Sequence, residues 1–271
     1  MIHVLTSELA RKIEESEIEA LQSRLTAIKE IPGNPLDAEI VQFGNATAFT
    51  IKGIPGPSFN TVRGITSNDM AEVDDILTYY KERGIPIQFE LTPASTNSKL
   101  MELLATKGLY QHKFHSVLYG IDKDIHYDKN SSIIIRKLAE DEFDLFAEIY
   151  ARGFGLPNII KAGIAQNNKI LHSLDAWDFY IALMNEKPVG IGVLFVANGV
   201  ATLAASATLP EHRNNGVHQA LLQERVKDAK DKGANLIVGQ AKFASTSSNN
   251  MERMGLKLAY TKSIWVEKRE I

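Results

Sequence analysis

The stretch Thr208-Leu209-Pro210-Glu211-His212-Arg213-Asn214-Asn215-Gly216-Val217-His218-Gln219-Ala220-Leu221-Leu222 carries the clearest chemistry in this chain. An apolar run ends at Leu209, a polar loop follows, and an amphipathic helix is predicted to begin near Gly216. The first amides of a helix have no intrahelical acceptor, and the helix dipole adds positive potential there, so such a junction suits a phosphate group. Gly216 lets a ligand come close to the backbone, and Arg213 supplies a fixed positive charge beside it. The same short pattern also describes an ordinary turn at a helix start. The elements around it have to decide between the two.

Composition narrows the field. A chain of 271 residues is long for one compact domain and comfortable for two. Its hydrophobic fraction of 44% can supply real cores, and its net charge of −3 argues against a nucleic-acid-binding surface covering the protein. No apolar run reaches the length of a membrane span, so no membrane partner is expected. The start Met1-Ile2-His3-Val4-Leu5-Thr6 turns charged within a few residues and lacks the apolar centre of a signal peptide. With no cysteine there are no disulfides, thiolate metal sites or thiol nucleophiles. A cytoplasmic protein without a metal is expected.

The order of elements repeats. In the first half, Lys81-Glu82-Arg83-Gly84 ends a helix, Ile85 to Thr92 makes a strand, and Pro93 to Ser98 turns. A helix over Leu100 to Leu104 then stops at Lys107-Gly108, and a strand surrounds Ser116 to Tyr119. In the second half, a helix ends at Lys230-Asp231-Lys232-Gly233, Asn235 to Val238 is a strand, and Ala244 to Ser248 turns. The helix over Asn250 to Met254 stops at Gly255, and Ser263 to Val266 is the last strand. Each glycine falls just past a helix, where a left-handed cap is needed.

Earlier elements correspond as well. Phe179 to Met184, Val189 to Val196 and Val200 to Leu209 read as a three-stranded meander, with a hairpin signal at Asn198-Gly199. A helix from Glu140 to Phe146 precedes it, and Ile159 to Leu174 remains ambiguous, a possible lid. The first half offers a helical stripe at Ile18, Leu21, Leu25 and Ile28. Strands follow at Ile40 to Phe43, Ala48 to Ile51 and Asn60 to Arg63, and then a helix at Met70 to Leu77. The polar run Asp122 to Ser131 reads as a linker, giving domains over 1–124 and 132–271.

With these elements in place, Arg213-Asn214-Asn215-Gly216-Val217-His218 resembles the Arg/Gln-x-x-Gly-x-Gly/Ala pyrophosphate loop of the GNAT acyltransferases. His218 stands where that family prefers Gly or Ala. The ending Ser245 to Leu256, with Ala259-Tyr260-Thr261, is similar to the ending common in bacterial GNAT domains. The first half, with Phe43 to Phe49 and Pro55 to Asn60, resembles a degenerate second copy, as in tandem GNAT proteins. The resemblance implies an α/β fold of two tandem domains, each a mostly antiparallel mixed sheet flanked by helices. It also implies acetyl-coenzyme A (acetyl-CoA) as co-substrate, a small-molecule amine as acceptor, direct transfer between them, and a monomer or homodimer.

Site residues follow from the same resemblance. Backbone groups of Ala207, Thr208 and Leu209 would line the thioester arm. The amides of Asn214, Asn215, Gly216, Val217 and His218 would hold the pyrophosphate, with Arg213 closing the loop. Asn250, and also Ser245, would reach the pantetheine arm; Asn250 serves equally well as a helix N-cap and Ser245 as a turn residue. His218 reads either as a surface residue or as facing the phosphates. In the first half the matching loop is Thr66-Ser67-Asn68-Asp69-Met70, without glycine or cation. Its Asp69, with Glu72, Asp74 and Asp75, would repel a pyrophosphate, and Asn68 or Asp69 would cap the helix instead.

Catalytic residues are not legible. Many GNAT enzymes place a Tyr acid about four residues before the last helix's glycine, and here Met251 stands there. Tyr260 is a possible substitute, and Glu148, Asp175, Asp178 and Glu211 are undistinguished candidates for a base. A non-catalytic coenzyme-A-binding sensor on the same fold is the alternative to a transferase.

Overall fold

The structure, a computed structural model, describes residues 4–54, 56–121 and 132–268. The expected linker at Asp122 to Ser131 therefore lies outside the described residues, as do Met1 to His3 and Pro55. The first elements along the chain are α1 (Ser7–Lys29), β1 (Ala38–Phe43), β2 (Ala46–Ile51), β3 (Thr61–Arg63), α2 (Val73–Arg83), β4 (Gln88–Leu91), α3 (Ser98–Thr106) and β5 (Leu109–Ile121). Then come β6 (Ile134–Lys137), α4 (Phe143–Phe154), α5 (Lys161–Lys169), β7 (Trp177–Met184), β8 (Lys187–Ala197) and β9 (Val200–Thr208). The chain ends with α6 (Val217–Asp231), β10 (Leu236–Ala241), α7 (Thr246–Arg253) and β11 (Lys257–Glu267). No helix among the described residues is long and apolar enough to cross a membrane.

Two compact units result: Met1–Val117 with Ala259–Ile271, and Leu118–Leu258. The division differs from the sequence reading at two places. Leu118 to Ile121, expected in the first domain, fall in the second unit, and Leu118 joins its core. The last strand was expected to complete the second half, yet Ser263 to Val266 pair antiparallel with Leu91 to Gln88 of β4 in the first unit. The side chains explain why. Trp265 joins the core of Val62, Phe89 and Leu100, and the buried Lys262 ammonium finds Glu17 and Glu90 there.

In the first unit β1, β2 and β3 form an antiparallel meander, and β3 lies parallel to β4 through Val62 opposite Phe89. Thr6 caps α1 by accepting from the Leu9 amide, and Leu21, Leu25 and Ile28 are buried on that helix as the stripe predicted. The region expected as a helix from Met70 starts as a 3-10 turn, Met70–Glu72, before α2.

The second unit repeats the plan. Strands β6, β7, β8 and β9 pair antiparallel in succession, and β10 pairs parallel with β9 from Leu236↔Val200 to Gly239↔Leu203. Strand β6 was not anticipated, because its four residues Ile134 to Lys137 show no sustained alternation. The core gathers Leu194, Leu203, Val217, Leu221, Val226, Ile237 and Met251 between the sheet and helices α6 and α7. Residues 159 to 174, ambiguous in sequence, fold as a 3-10 turn and α5.

Candidate functional site

Strand β9 is the frame of the site in the second unit. Across the β8–β9 ladder Gly192 faces Ser206 while Leu194 faces Leu203, so β9 carries an extra residue and bulges at Ala204-Ala205. The β9–β10 ladder ends at Leu203↔Gly239, and beyond it the two strands no longer pair, which leaves a cleft between the β9 edge and β10. Antiparallel pairing decides which groups occupy that edge. Since the Leu209 amide donates to Val189 O, residues 209 and 207 turn their amides toward β8, and Thr208 and Ser206 turn theirs the other way. Leu209 also accepts from His212 N, so both of its backbone groups are engaged. Thr208 and Ser206, the latter not anticipated, are therefore the lining residues of this strand end.

The loop after β9 behaves as its residue types suggest. Pro210–His212 makes a 3-10 turn, Asn214 and Gly216 adopt left-handed backbone with φ of 63° and 80°, and Val217 begins α6. Gly216 caps that helix with no side-chain hydrogen bond, leaving the first-turn amides at Val217 and His218 uncapped by any side chain. Asn215 folds its amide back on Arg213 O at 3.2 Å. Arg213, expected to close the loop, instead donates to Gly153 O at the end of α4 at 2.7 Å. Arg152 pairs with Glu211 at 2.7 Å across the same junction. Gly153 is required there, because a Cβ would sit 2.7 Å from the Ala207 Cβ and 3.3 Å from Thr208 O.

On the far side of the cleft Ser245 is the N-cap of α7, accepting from Ser248 N at 3.2 Å. Asn250 is inside the helix, so its alternative reading as a cap falls. Its amide nitrogen meets His218 Nδ1 at 3.1 Å, and Ser247 Oγ meets His218 Nε2 at 3.3 Å. These contacts span α6 to α7 and join residues that no sequence proximity suggested. The amide orientation is set by Arg253, a pure donor, which takes Asn250 Oδ1 at 2.9 Å. Asn250 must then donate to Nδ1, so the ring proton sits on Nε2 and points at Ser247. Such a histidine cannot take a proton from Ser247, which removes a serine nucleophile from consideration. Burial, with the Arg225 charge as a second cause, pushes His218 down to about 4.

The acid and base candidates are tied down elsewhere. Met251 is buried in the core, its sulfur against Gly239. Tyr260 belongs to the first unit, where burial and the neighbouring Glu17 and Glu14 hold its phenol protonated. Glu148 pairs with Lys161 and Glu211 with Arg152. Asp178 pairs with Lys137 at 2.9 Å and Lys232 at 2.7 Å, and Asp175 is exposed.

The corresponding loop of the first unit is built differently. Asp69 does not cap the helix, as expected of it, but turns back into its own loop. One carboxylate oxygen accepts from Asn45 N and Nδ2 at 2.9 Å each, and the other from Thr66 N at 2.8 Å and Thr66 Oγ1 at 2.7 Å. These hydrogen bonds outweigh burial and lower its pKa.

The second unit thus combines a mostly antiparallel sheet, a bulged strand and a helix start without a side-chain cap. Residues 144–255 match the model of the acetyltransferase (GNAT) family, so the chain carries a GNAT-family domain in its second unit. Similar solved structures extend over nearly the whole chain. A GCN5-related N-acetyltransferase from Kribbella flavida is 13% identical, with 91% of this chain and 96% of that one covered at a TM-score of 0.63. A functionally unknown conserved protein from Staphylococcus epidermidis is 14% identical, with coverages of 90% and 98% and a TM-score of 0.64. A tandem GNAT protein from the clavulanic acid biosynthesis pathway is 10% identical, covers 83% and 79%, and scores 0.58. No curated protein matches the chain.

Proposed function

We propose that the second unit binds acetyl-CoA and transfers the acetyl group directly to a primary amine of a small molecule, in the cytoplasm. One observation carries this reading: the uncapped start of α6 at Gly216 directly follows a β9 edge freed by the bulge. The amides of Asn214 to His218 would take the pyrophosphate, and the Thr208 and Ser206 edge would take the thioester arm. Asn250, Ser245 and Ser247 would border the pantetheine, with His218 between them. Arg213 would contribute charge from outside the loop, since its guanidinium is committed to Gly153 O. The first unit would be a degenerate copy, because its matching loop holds its own anion, the Asp69 carboxylate on Thr66 N and Asn45 N, where a phosphate would be repelled.

Binding tests it directly. Acetyl-CoA at roughly a hundred times its dissociation constant should stabilise the fold by about 3 kcal/mol in a thermal or denaturant titration. Gly216→Glu, which puts a carboxylate at the phosphate position, should abolish that gain, and Arg213→Ala should only reduce it. Absence of stabilisation by both acetyl-CoA and coenzyme A would remove the assignment. A second reading, a coenzyme-A-binding sensor without catalysis, is favoured by the buried Met251 where many relatives carry an acid. Binding without transfer across a panel of amines is its signature.

A further inference from the structure

The bulge that opens the cleft is held from below by an arginine. Arg225 lies on α6 with 1% of its surface exposed, and it gives its hydrogen bonds to backbone carbonyls. Nε donates to Leu221 O at 2.9 Å, and Nη1 donates to Val193 O at 3.2 Å and to Ala205 O at 3.4 Å. Burial pushes the group down to about 10, so it remains a cation at neutral pH. Burying a cation is costly unless it is paired and its donors are satisfied, and here Nη2 is buried with no hydrogen-bond partner among the described residues. What distinguishes it here is the identity of its acceptors, since Val193 lies within the irregular stretch of β8 and Ala205 is in the bulge itself.

Ala205 C=O and Ser206 N–H belong to one peptide group, and a trans peptide holds them antiparallel. Fixing Ala205 O on Arg225 therefore fixes the direction of the Ser206 amide, which the ladder turns toward the cleft edge. A charge-assisted bond at the carbonyl also polarises the same peptide and makes its N–H a stronger donor. Gly192 makes room for the arrangement: a Cβ there would stand 3.1 Å from Arg225 Nε and 3.2 Å from its Cδ. We propose that Arg225 is a positioning residue that aims and strengthens the Ser206 amide as the hydrogen-bond donor to the thioester carbonyl oxygen of acetyl-CoA. The role rests on the acetyl-CoA reading given above. As the carbonyl carbon is attacked by the amine its oxygen gains negative charge, and a donor fixed beforehand stabilises that charge without reorganisation.

The test needs no acceptor. Acetyl-CoA labelled with carbon-13 at the thioester carbonyl is bound to the full chain, and the carbonyl resonance is compared with that of the free thioester. Polarisation by the Ser206 amide moves the wild-type signal downfield. Arg225→Met, which keeps the volume and removes the charge, should lose most of that displacement. It should weaken acetyl-CoA binding by about fivefold, the worth of roughly one hydrogen bond, while coenzyme A, which has no carbonyl at this point, binds as before. Gly192→Ala pushes the guanidinium aside from β8 and should do the same with Arg225 still present, covering the case in which Arg225→Met fails to fold. Arg225→Lys should recover part of the displacement. A wild-type carbonyl that binds without displacement, or a variant that keeps it in full, overturns the role of Arg225 and leaves the acetyl-CoA assignment standing. If the wild type binds coenzyme A and acetyl-CoA not at all, the assignment itself fails.

Discussion

Single residues decide how the two loops differ. Asp69 spends both carboxylate oxygens on the backbone and side chains of Asn45 and Thr66, whereas the Gly216 loop has no such internal anion. Asp69→Ala strands these donors with one side of the loop buried, and should cost about 3 kcal/mol in denaturant unfolding while acetyl-CoA binding at Gly216 is retained. An unchanged midpoint would mean that the loop does not depend on its aspartate. His218 gives a pH signature. Its folded value lies near 4 and an unfolded histidine titrates near 6.5, so between those values the unfolded chain binds more protons. Stability from the neutral ring is thus fully present above about pH 6.5 and drains away as the pH falls toward 4. Wild type should lose about 2 kcal/mol more than His218→Gln between pH 7 and 5. Because His115 also sits near 4, only the difference between the two proteins isolates His218. Parallel losses would clear His218 of the role.

Among elements, one tight restriction is where α4 meets β9. Gly153 is inside α4, where alanine is ordinarily better than glycine by about 1 kcal/mol. Here the added Cβ meets the Ala207 Cβ at 2.7 Å and Thr208 backbone at 3.3 Å, atoms that cannot rotate away. The clash should win, so Gly153→Ala is expected to destabilise by about 1–3 kcal/mol and to weaken acetyl-CoA binding by displacing the Thr208 edge. A stabilised Gly153→Ala would show that helix and strand can part freely. The strand, loop and helix around this junction were legible because Asn198-Gly199, Gly216 and Gly255 punctuate apolar runs. The bulge was not. Val200 to Thr208 reads as an uninterrupted strand, and the residue that meets its bulge is Arg225, which in sequence belongs to the charged surface of the next helix. The His218, Ser247 and Asn250 contacts escaped for the same reason: they join two helices, and single-element patterns carry no record of that.

At the scale of the whole molecule, chain order and unit membership part company in β11. Local patterns place that strand after α7 correctly, but its partner is chosen by Lys262, which lies on no recognisable motif. Its ammonium sits 2.6 Å from Glu17 Oε2 on α1 and 2.7 Å from Glu90 Oε2 on β4, with all three side chains buried. Arg63 adds a second cation at Glu90 Oε1, 3.0 Å away, and the two cations hold the Glu90 carboxyl well below the usual range despite burial. Helix α1 with Glu14 and Glu17 on its inner face looks amphipathic only when these acids are counted as core, which no hydropathy pattern does. Removing one partner of a buried ion pair costs more than the pair contributes, because the other charge is left without compensation. Lys262→Met should therefore destabilise the first unit by about 4 kcal/mol at pH 8. Denaturant unfolding of wild type and variant at that pH measures the effect. A variant as stable as wild type at pH 8 would show that β11 is held by Trp265 and backbone pairing alone, and that the sequence motif missing for this strand was never an ionic one.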